Sequence, residues 1–325
     1  MTINGLNVLL LSAGRRVELI RCLKSALIRC EIQAQVHALD LDPYMSAACH
    51  AADGSAAIVR ATDGSYVDEV LQYCKANSVG LVIPTIDTEL MVLANARQRF
   101  HSCGITAVIS HADFVRRCRD KRLTGRLFEQ ISIEYPRIFG KDDLTFPCFC
   151  KPFAGSRSVG ARLLRDACDL RAEDLASDEL MFMEYIPMNY SEYTIDAYYS
   201  SGGRLLCLVP RERLEVRDGE ISKGIARKNF VYEKLWGSMG HLVGAVGCIT
   251  LQVFADPETH DIKGLEINPR FGGGYPLSDA AGARYAEWLI REYLLGETLQ
   301  PFEAWDDGTL MLRYDAAIFS HVRQI

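Results

Sequence analysis

An open parallel α/β lobe followed by two α+β lobes is the architecture that this sequence predicts. Three observations lead there. Strand-like and helix-like segments alternate over roughly the first 110 residues, as in sheets built from crossover units. The pattern then changes to short helices, a strand–glycine loop–strand unit and one further strand. Beyond residue 187 the chain is mostly strand-like, with one hairpin and a helical pattern near the end. The 325 residues suffice for two or three lobes, at roughly 100 to 200 residues each.

Taken in order, "NVLLLS" is an apolar strand that runs into "AGRR", and Ile20, Leu23 and Leu27 then fall on one side of a helix. "AQVHALDLDP" is the second strand, and its acids and proline end it. "SYVDEVLQYCKANS" and "TELMVLANARQRF" read as helices around the strand "VGLVIPTID", with "TAVI" closing the lobe. Ligands of such sheets sit at the carboxyl ends of the strands. That singles out Gly14, Arg15, Arg16, Asp40, Asp42, Asp87 and Glu89. "SHAD" and "RDKRLTGRLFEQ" then open two helices, "TFPCFCKPFAGSRSVGARLL" gives strand, loop and strand, "DLRAEDLASD" a short helix and "ELMFMEYI" a strand. "DAAGARYAEWLIREYLLG" reads as one late helix and "TLMLRYDAAIF" as a closing strand.

Composition excludes several classes. There is no apolar run of about 18 residues to span a membrane, and the N-terminus reads as a strand with no basic segment before it. Eleven scattered cysteines in mostly apolar settings read as free thiols of a cytoplasmic protein. Cys148 and Cys150 lack a second pair at zinc-ligand spacing. A net charge of −6, with one local basic cluster and no interleaved aromatics, disfavours nucleic acid as partner. The first turn, "SAGRR", has one glycine where a dinucleotide fold wants three. Its arginines either line a pocket for an anionic ligand or face water in the first turn of the helix.

"LEINPRFGGGYP" carries the densest chemistry. Alternation along a strand puts Glu266, Asn268 and Arg270 on one face, and Gln252 lies on the preceding strand of the hairpin. One carboxylate and two amide oxygens suit Mg²⁺ when phosphates supply its remaining ligands. Arg270 beside them would clamp a transferring phosphoryl group, and Gly272, Gly273 and Gly274 would let backbone N–H groups approach it. In "KPFAGSRSVG" a strand ends at Lys151 and opens into Gly155, Ser156, Ser158 and Gly160, a loop able to fold over phosphates, without a Walker pattern. Glu184 in "MEYI" and Glu192 in "SEYTID" could face a nucleotide or stand at a sheet edge. Asp196 and Arg213 are weaker candidates near the same cleft.

In this order the motifs resemble the ATP-grasp superfamily, and most of all a single module of the carbamoyl-phosphate synthase large subunit. The resemblance runs from "NVLLLSAGRRVELI" to "LEINPRFGGGYP". It implies an ATP-grasp fold: an N-terminal α/β pre-ATP-grasp domain at 1–112, a small α+β lobe at 113–186 and a C-terminal α+β lobe with the metal site at 187–325. It implies that Lys121 and Lys151 contact ATP phosphates, that the loop from Gly155 through Ser156 and Ser158 to Gly160 closes over them, that Glu184, Tyr185 and Ile186 hold adenine, and that Glu192 holds ribose. Gln252, Glu266 and Asn268 would carry Mg²⁺ or Mn²⁺, with Arg270 and Lys151 catalytic.

The implied reaction is ligation of a small-molecule carboxylate to an amine through an acyl phosphate, releasing ADP and phosphate. A module that binds ATP only for regulation or assembly is the competing reading. The metal-adjacent set, unnecessary for binding alone, argues against it. One module without a glutaminase-like nucleophile signature departs from carbamoyl phosphate synthesis, and "FGGGYP" has more glycine than the serine-rich stretch there. The sequence does not reveal the oligomeric state, and a homodimer is only the base-rate choice among closed assemblies.

Overall fold

A computed structural model describes residues 6–153, 160–217 and 219–321. Five parallel strands, β1 (Asn7–Leu10), β2 (Val36–Asp40), β3 (Gly54–Ala57), β4 (Val79–Ile83) and β5 (Thr106–Ala107), form the first sheet in the order β3-β2-β1-β4-β5. β1 pairs with both β2 and β4, so the strand order reverses there. Helix α1 (Val17–Arg29) buries Leu19, Ile20, Leu23 and Leu27, as its spacing requires. Helices α3 (Tyr66–Ala76) and α4 (Asp87–Ser102) flank β4 in the chain. The five-residue helix α2 (Ala47–Ala51) and the edge strand β3, "GSAA", have too little length or apolar contrast to announce themselves.

Glu89 locks this lobe at its ligand-facing end. It is fully buried and accepts from Ser12 Oγ (2.8 Å), Tyr66 Oη (3.0 Å), Thr85 N (2.5 Å) and Ile86 N (3.0 Å). Burial raises its pKa, and the four donors oppose that rise. Glu89 thus caps the start of α4. It holds Ser12 in the left-handed region at φ 48°, which sets the direction of the turn through Arg16.

Two antiparallel sheets follow. The smaller has the order β6-β9-β7-β8, from β6 (Ile138–Phe139), β7 (Cys148–Pro152), β8 (Arg162–Leu164) and β9 (Leu180–Glu184). Phe139, Cys148, Cys150, Leu164 and Phe182 form its own core. Helices α5 (Ala112–Arg119) and α6 (Lys121–Gln130) pack elsewhere: Phe114, Cys118, Leu127 and Phe128 join the main core, and Phe128 fills the space where Gly264 has no side chain.

The larger sheet has the order β14-β13-β10-β11-β12-β15, from β10 (Ser191–Tyr199), β11 (Leu205–Arg217), β12 (Glu220–Ala226), β13 (Gly247–Ala255), β14 (Ile262–Asn268) and β15 (Leu310–Leu312). A nine-residue helix, Phe230–Ser238, of mixed composition lies between β12 and β13; neither it nor β12 was legible in the sequence. The expected late helix is broken in two. α9 (Tyr275–Ala280) and α10 (Tyr285–Leu289) are separated by Gly282 at φ 101°, and a π-helical turn follows at Ile290–Leu294. The expected closing strand is only the three residues of β15, which pair with Lys223–Ile225 of β12. Arg29 on α1 pairs with Glu287 on α10, tying the first lobe to the larger sheet. Among the described residues no helix is long and apolar enough to cross a membrane.

Candidate active site

The floor of the site is one face of the large sheet. Cross-strand partners share a face, and the register aligns Arg211, Thr194, Gln252 and Glu266 in one row. The next row holds Asp196, Thr250 and Asn268. The predicted trio Gln252, Glu266 and Asn268 is therefore together. Asn268 Nδ2 donates to Glu266 Oε1 at 2.9 Å, which turns the amide oxygen away from the carboxylate. Glu192 lies close by: its carboxyl pKa is raised by burial and by the charge of Glu266, against the opposing pull of Arg213. Carboxylates crowded in this way, beside amide oxygens, fit a divalent cation. No group of three or more His, Cys, Asp or Glu able to hold one exists among the described residues, so such an ion would depend on ligand oxygens as well.

The roof is the small sheet and α6. Lys151 on β7 is only 9% exposed. Its pKa falls to about 8 through burial and the charge of Lys121, while Glu266 opposes the fall. Lys151 on the small sheet thus lies within electrostatic reach of Lys121 at the start of α6 and of Glu266 on the large sheet. Lys121 begins α6, where Asp120 caps the helix through Arg122 N (3.0 Å), and its own N–H donates to Phe153 O at 3.2 Å. Gly160 is left-handed at φ 76°; Gly155, Ser156 and Ser158 lie outside the described residues.

Three further residues stand where the small lobe joins the sheet. Both Glu184 oxygens are engaged, by Arg137 N at 3.1 Å and by Lys263 Nζ at 3.4 Å. Tyr185 and Ile186 follow it in irregular, half-buried backbone. Glu192 is paired with Arg213 through one oxygen.

Arg270 points away from the trio's carboxylate toward the first lobe. It makes two bonds to Asp87 at the start of α4, at 2.8 Å and 3.2 Å, and donates to Phe271 O. Two of the glycines behind it also make room for a buried side chain. A Cβ at Gly274 would lie 2.1 Å from Arg211 Nη1, and one at Gly272 would lie 3.3 Å from Arg211 Nη2. They make room for a fully buried ion pair in which Asp196 accepts from Arg211 Nε (2.8 Å) and Nη2 (3.0 Å), with Ser278 Oγ at 2.7 Å. Asp196 is thus structural, and its partner is Arg211. Arg211 and Arg213 share a face of β11, and Asp196 on β10 lies on that face diagonally from Arg211, whose direct partner is Thr194.

Residues 8–109 match the family described as the PylC-like N-terminal domain, and residues 176–312 the family described as ATP-grasp in the biosynthetic pathway with Ter operon. The chain has the ATP-grasp fold. Solved structures share it over nearly the whole ATP-grasp chain. The biotin carboxylase domain of Hydrogenobacter thermophilus 2-oxoglutarate carboxylase, a dimer with MgADP, ADP and bicarbonate, superposes with a TM-score of 0.72 at 17% identity, over 94% of this chain and 73% of that one. Staphylococcus aureus N5-carboxyaminoimidazole synthetase complexed with ADP gives 0.68 at 14% identity, over 92% and 80%. An L-amino acid ligase from Bacillus licheniformis gives 0.65 at 15% identity, over 90% and 75%. No curated protein matches the sequence. In this ATP-grasp chain Lys151 stands on the small sheet, Lys121 begins α6, and Gln252, Glu266 and Asn268 share a face of the large sheet.

Proposed function

We propose that the protein is an ATP-dependent carboxylate–amine ligase whose working parts are the domains 1–112, 113–186 and 187–325. The observation that carries this reading is the register of β13 and β14, which brings Gln252, Glu266 and Asn268 together on one face of the large sheet. Phosphoryl transfer needs charge neutralisation and alignment more than a dedicated base. Lys121 and Lys151 would hold the ATP phosphates, and Gln252, Glu266 and Asn268 would carry Mg²⁺ or Mn²⁺, which supplies further positive charge for the transferring group when bound. Tyr185 and Ile186 present backbone groups for adenine, with Glu184 bracing the junction, and the second oxygen of Glu192 is open to ribose. Arg270, released from Asp87, would steady the γ-phosphoryl group or the acyl phosphate. The loop 155–160 would exclude water. The ordered motifs favour a module like that of carbamoyl-phosphate synthase, acting on a different acid.

The test is a screen of carboxylate and amine pairs with MgATP, followed with heavy-oxygen-labelled carboxylate. ADP release should require the acid, and one label should appear in phosphate. Amide formation with unlabelled phosphate would exclude the acyl phosphate. Nucleotide binding with no acid-dependent ADP release across the screen would leave the regulatory module in its place.

Lys151 gives a second test. Its folded pKa lies below the ordinary lysine value, so the unfolded chain holds more protons from about pH 8 upward and stability should rise with pH across that window. A bound polyphosphate raises the pKa again, so binding takes up a proton above pH 8. Calorimetry in two buffers of different ionisation enthalpy should show that uptake at roughly pH 9 and almost none at roughly pH 7, with ADP affinity falling as pH rises. Equal proton uptake at both values would remove Lys151 from the phosphates.

A further inference from the structure

Where the carboxyl ends of β1 and β4 meet the Gly272–Gly274 turn, positive charge accumulates beyond what the reaction above requires. Arg15, Arg16, Arg270 and Arg313 gather there against two carboxylates, Asp87 and Glu220. Asp87 is taken by Arg270. Glu220 serves Arg313 at 2.9 Å and Arg15 at 3.7 Å. Arg16 has no carboxylate within 4.0 Å among the described residues, and its one hydrogen bond there is to Thr85 O at 3.3 Å. Burial and the neighbouring charge of Arg270 push its pKa down to about 10, yet it keeps its charge at neutral pH. The turn leaves room beside it: a Cβ at Gly273 would lie 3.7 Å from Arg16 Nη1 and 3.5 Å from Glu220 Oε2, and Arg313 donates to Gly273 O. Arg16 also stands at the N-cap position of the thirteen-residue helix α1, without a side-chain capping bond, and the helix's amino end adds positive potential.

Arg16 and Arg270 are half-buried whereas Arg15 and Arg313 reach solvent, and the two positive charges left over favour a ligand with two negative charges and repel an amine. We propose that the acid activated here is a dianion. Its reacting carboxylate lies at Arg270, and its second anionic group, a carboxylate or a phosphate, sits between Arg16 and Arg313. This deepens the ligase reading and rests on it, but the binding test below needs no turnover.

The full-length, nucleotide-free protein is titrated calorimetrically with butyrate, succinate and 3-phosphoglycerate, and separately with MgADP. At least one dianion should bind about tenfold more tightly than butyrate, and which one does so separates carboxylate from phosphate recognition. Arg16→Gln should cut that advantage to within about twofold, leave MgADP affinity unchanged, and be partly rescued by Arg16→Lys. If Arg16→Gln does not fold, Arg313→Gln is read in the same way. No preference for either dianion, or a preference that survives the loss of Arg16, overturns the proposal. Failure of MgADP to bind strikes instead at the ligase reading.

Discussion

Glu266→Gln should lower kcat by about a thousandfold, roughly 4 kcal/mol of transition-state stabilisation, while the protein melts at an unchanged temperature. The substitution keeps shape and removes one negative charge. Glu266 is half-buried and its one hydrogen bond among the described residues is from Asn268, so the fold asks little of it. The chemistry asks more, because it is the single carboxylate of the trio with Gln252 and Asn268. An independent readout comes with it. Glu266 holds the Lys151 pKa up against burial and Lys121. Without it that pKa should drop below 8, and the pH at which ADP affinity begins to fall should move down with it. A structural role alone would not shift that limb. A rate within twofold of wild type would refute the metal assignment.

How much of this was legible depends on the range of the interaction. The hairpin of β13 and β14 could be read because alternation fixes which side chains share a face, and the register only had to confirm that Gln252 faces Glu266. Lys151 could be read from the strand that ends in a glycine loop. The partners of Arg270 and Arg16 could not, since Asp87, Glu220 and Arg313 come from elements far apart in the chain. Arg211 was missed for a different reason. A buried ion pair leaves no hydrophobic period, and the nearby Arg213 looked equally apt for the cleft. The broken late helix had a local signal in Gly282, which stands at φ 101° between α9 and α10.

Gly274→Ala should destabilise the protein by about 3 to 5 kcal/mol, against little effect from Gly273→Ala one residue away. Both positions have ordinary backbone, so the difference comes from what a methyl group meets. At Gly273 the nearest atom is 3.5 Å away, an ordinary contact. At Gly274 the methyl would sit 2.1 Å from Arg211 Nη1 and 2.8 Å from Ile221 Cγ2. The arginine end cannot swing aside cheaply, because it is 1% exposed and doubly bonded to Asp196. Displacing it leaves two buried charges unpaired, which costs far more than the pair contributes relative to an apolar replacement. Asp196→Ala should therefore cost a similar amount, and the double variant clearly less than the two costs added, since both disrupt one pair. Scanning calorimetry should place each single variant about 4 to 7 °C below wild type. Because the same guanidinium backs the turn that carries Arg270, Gly274→Ala should also weaken turnover below its melting range. A Gly274→Ala protein that melts within about 2 °C of wild type would show that the turn tolerates a side chain there, and that the glycines serve the ligand after all.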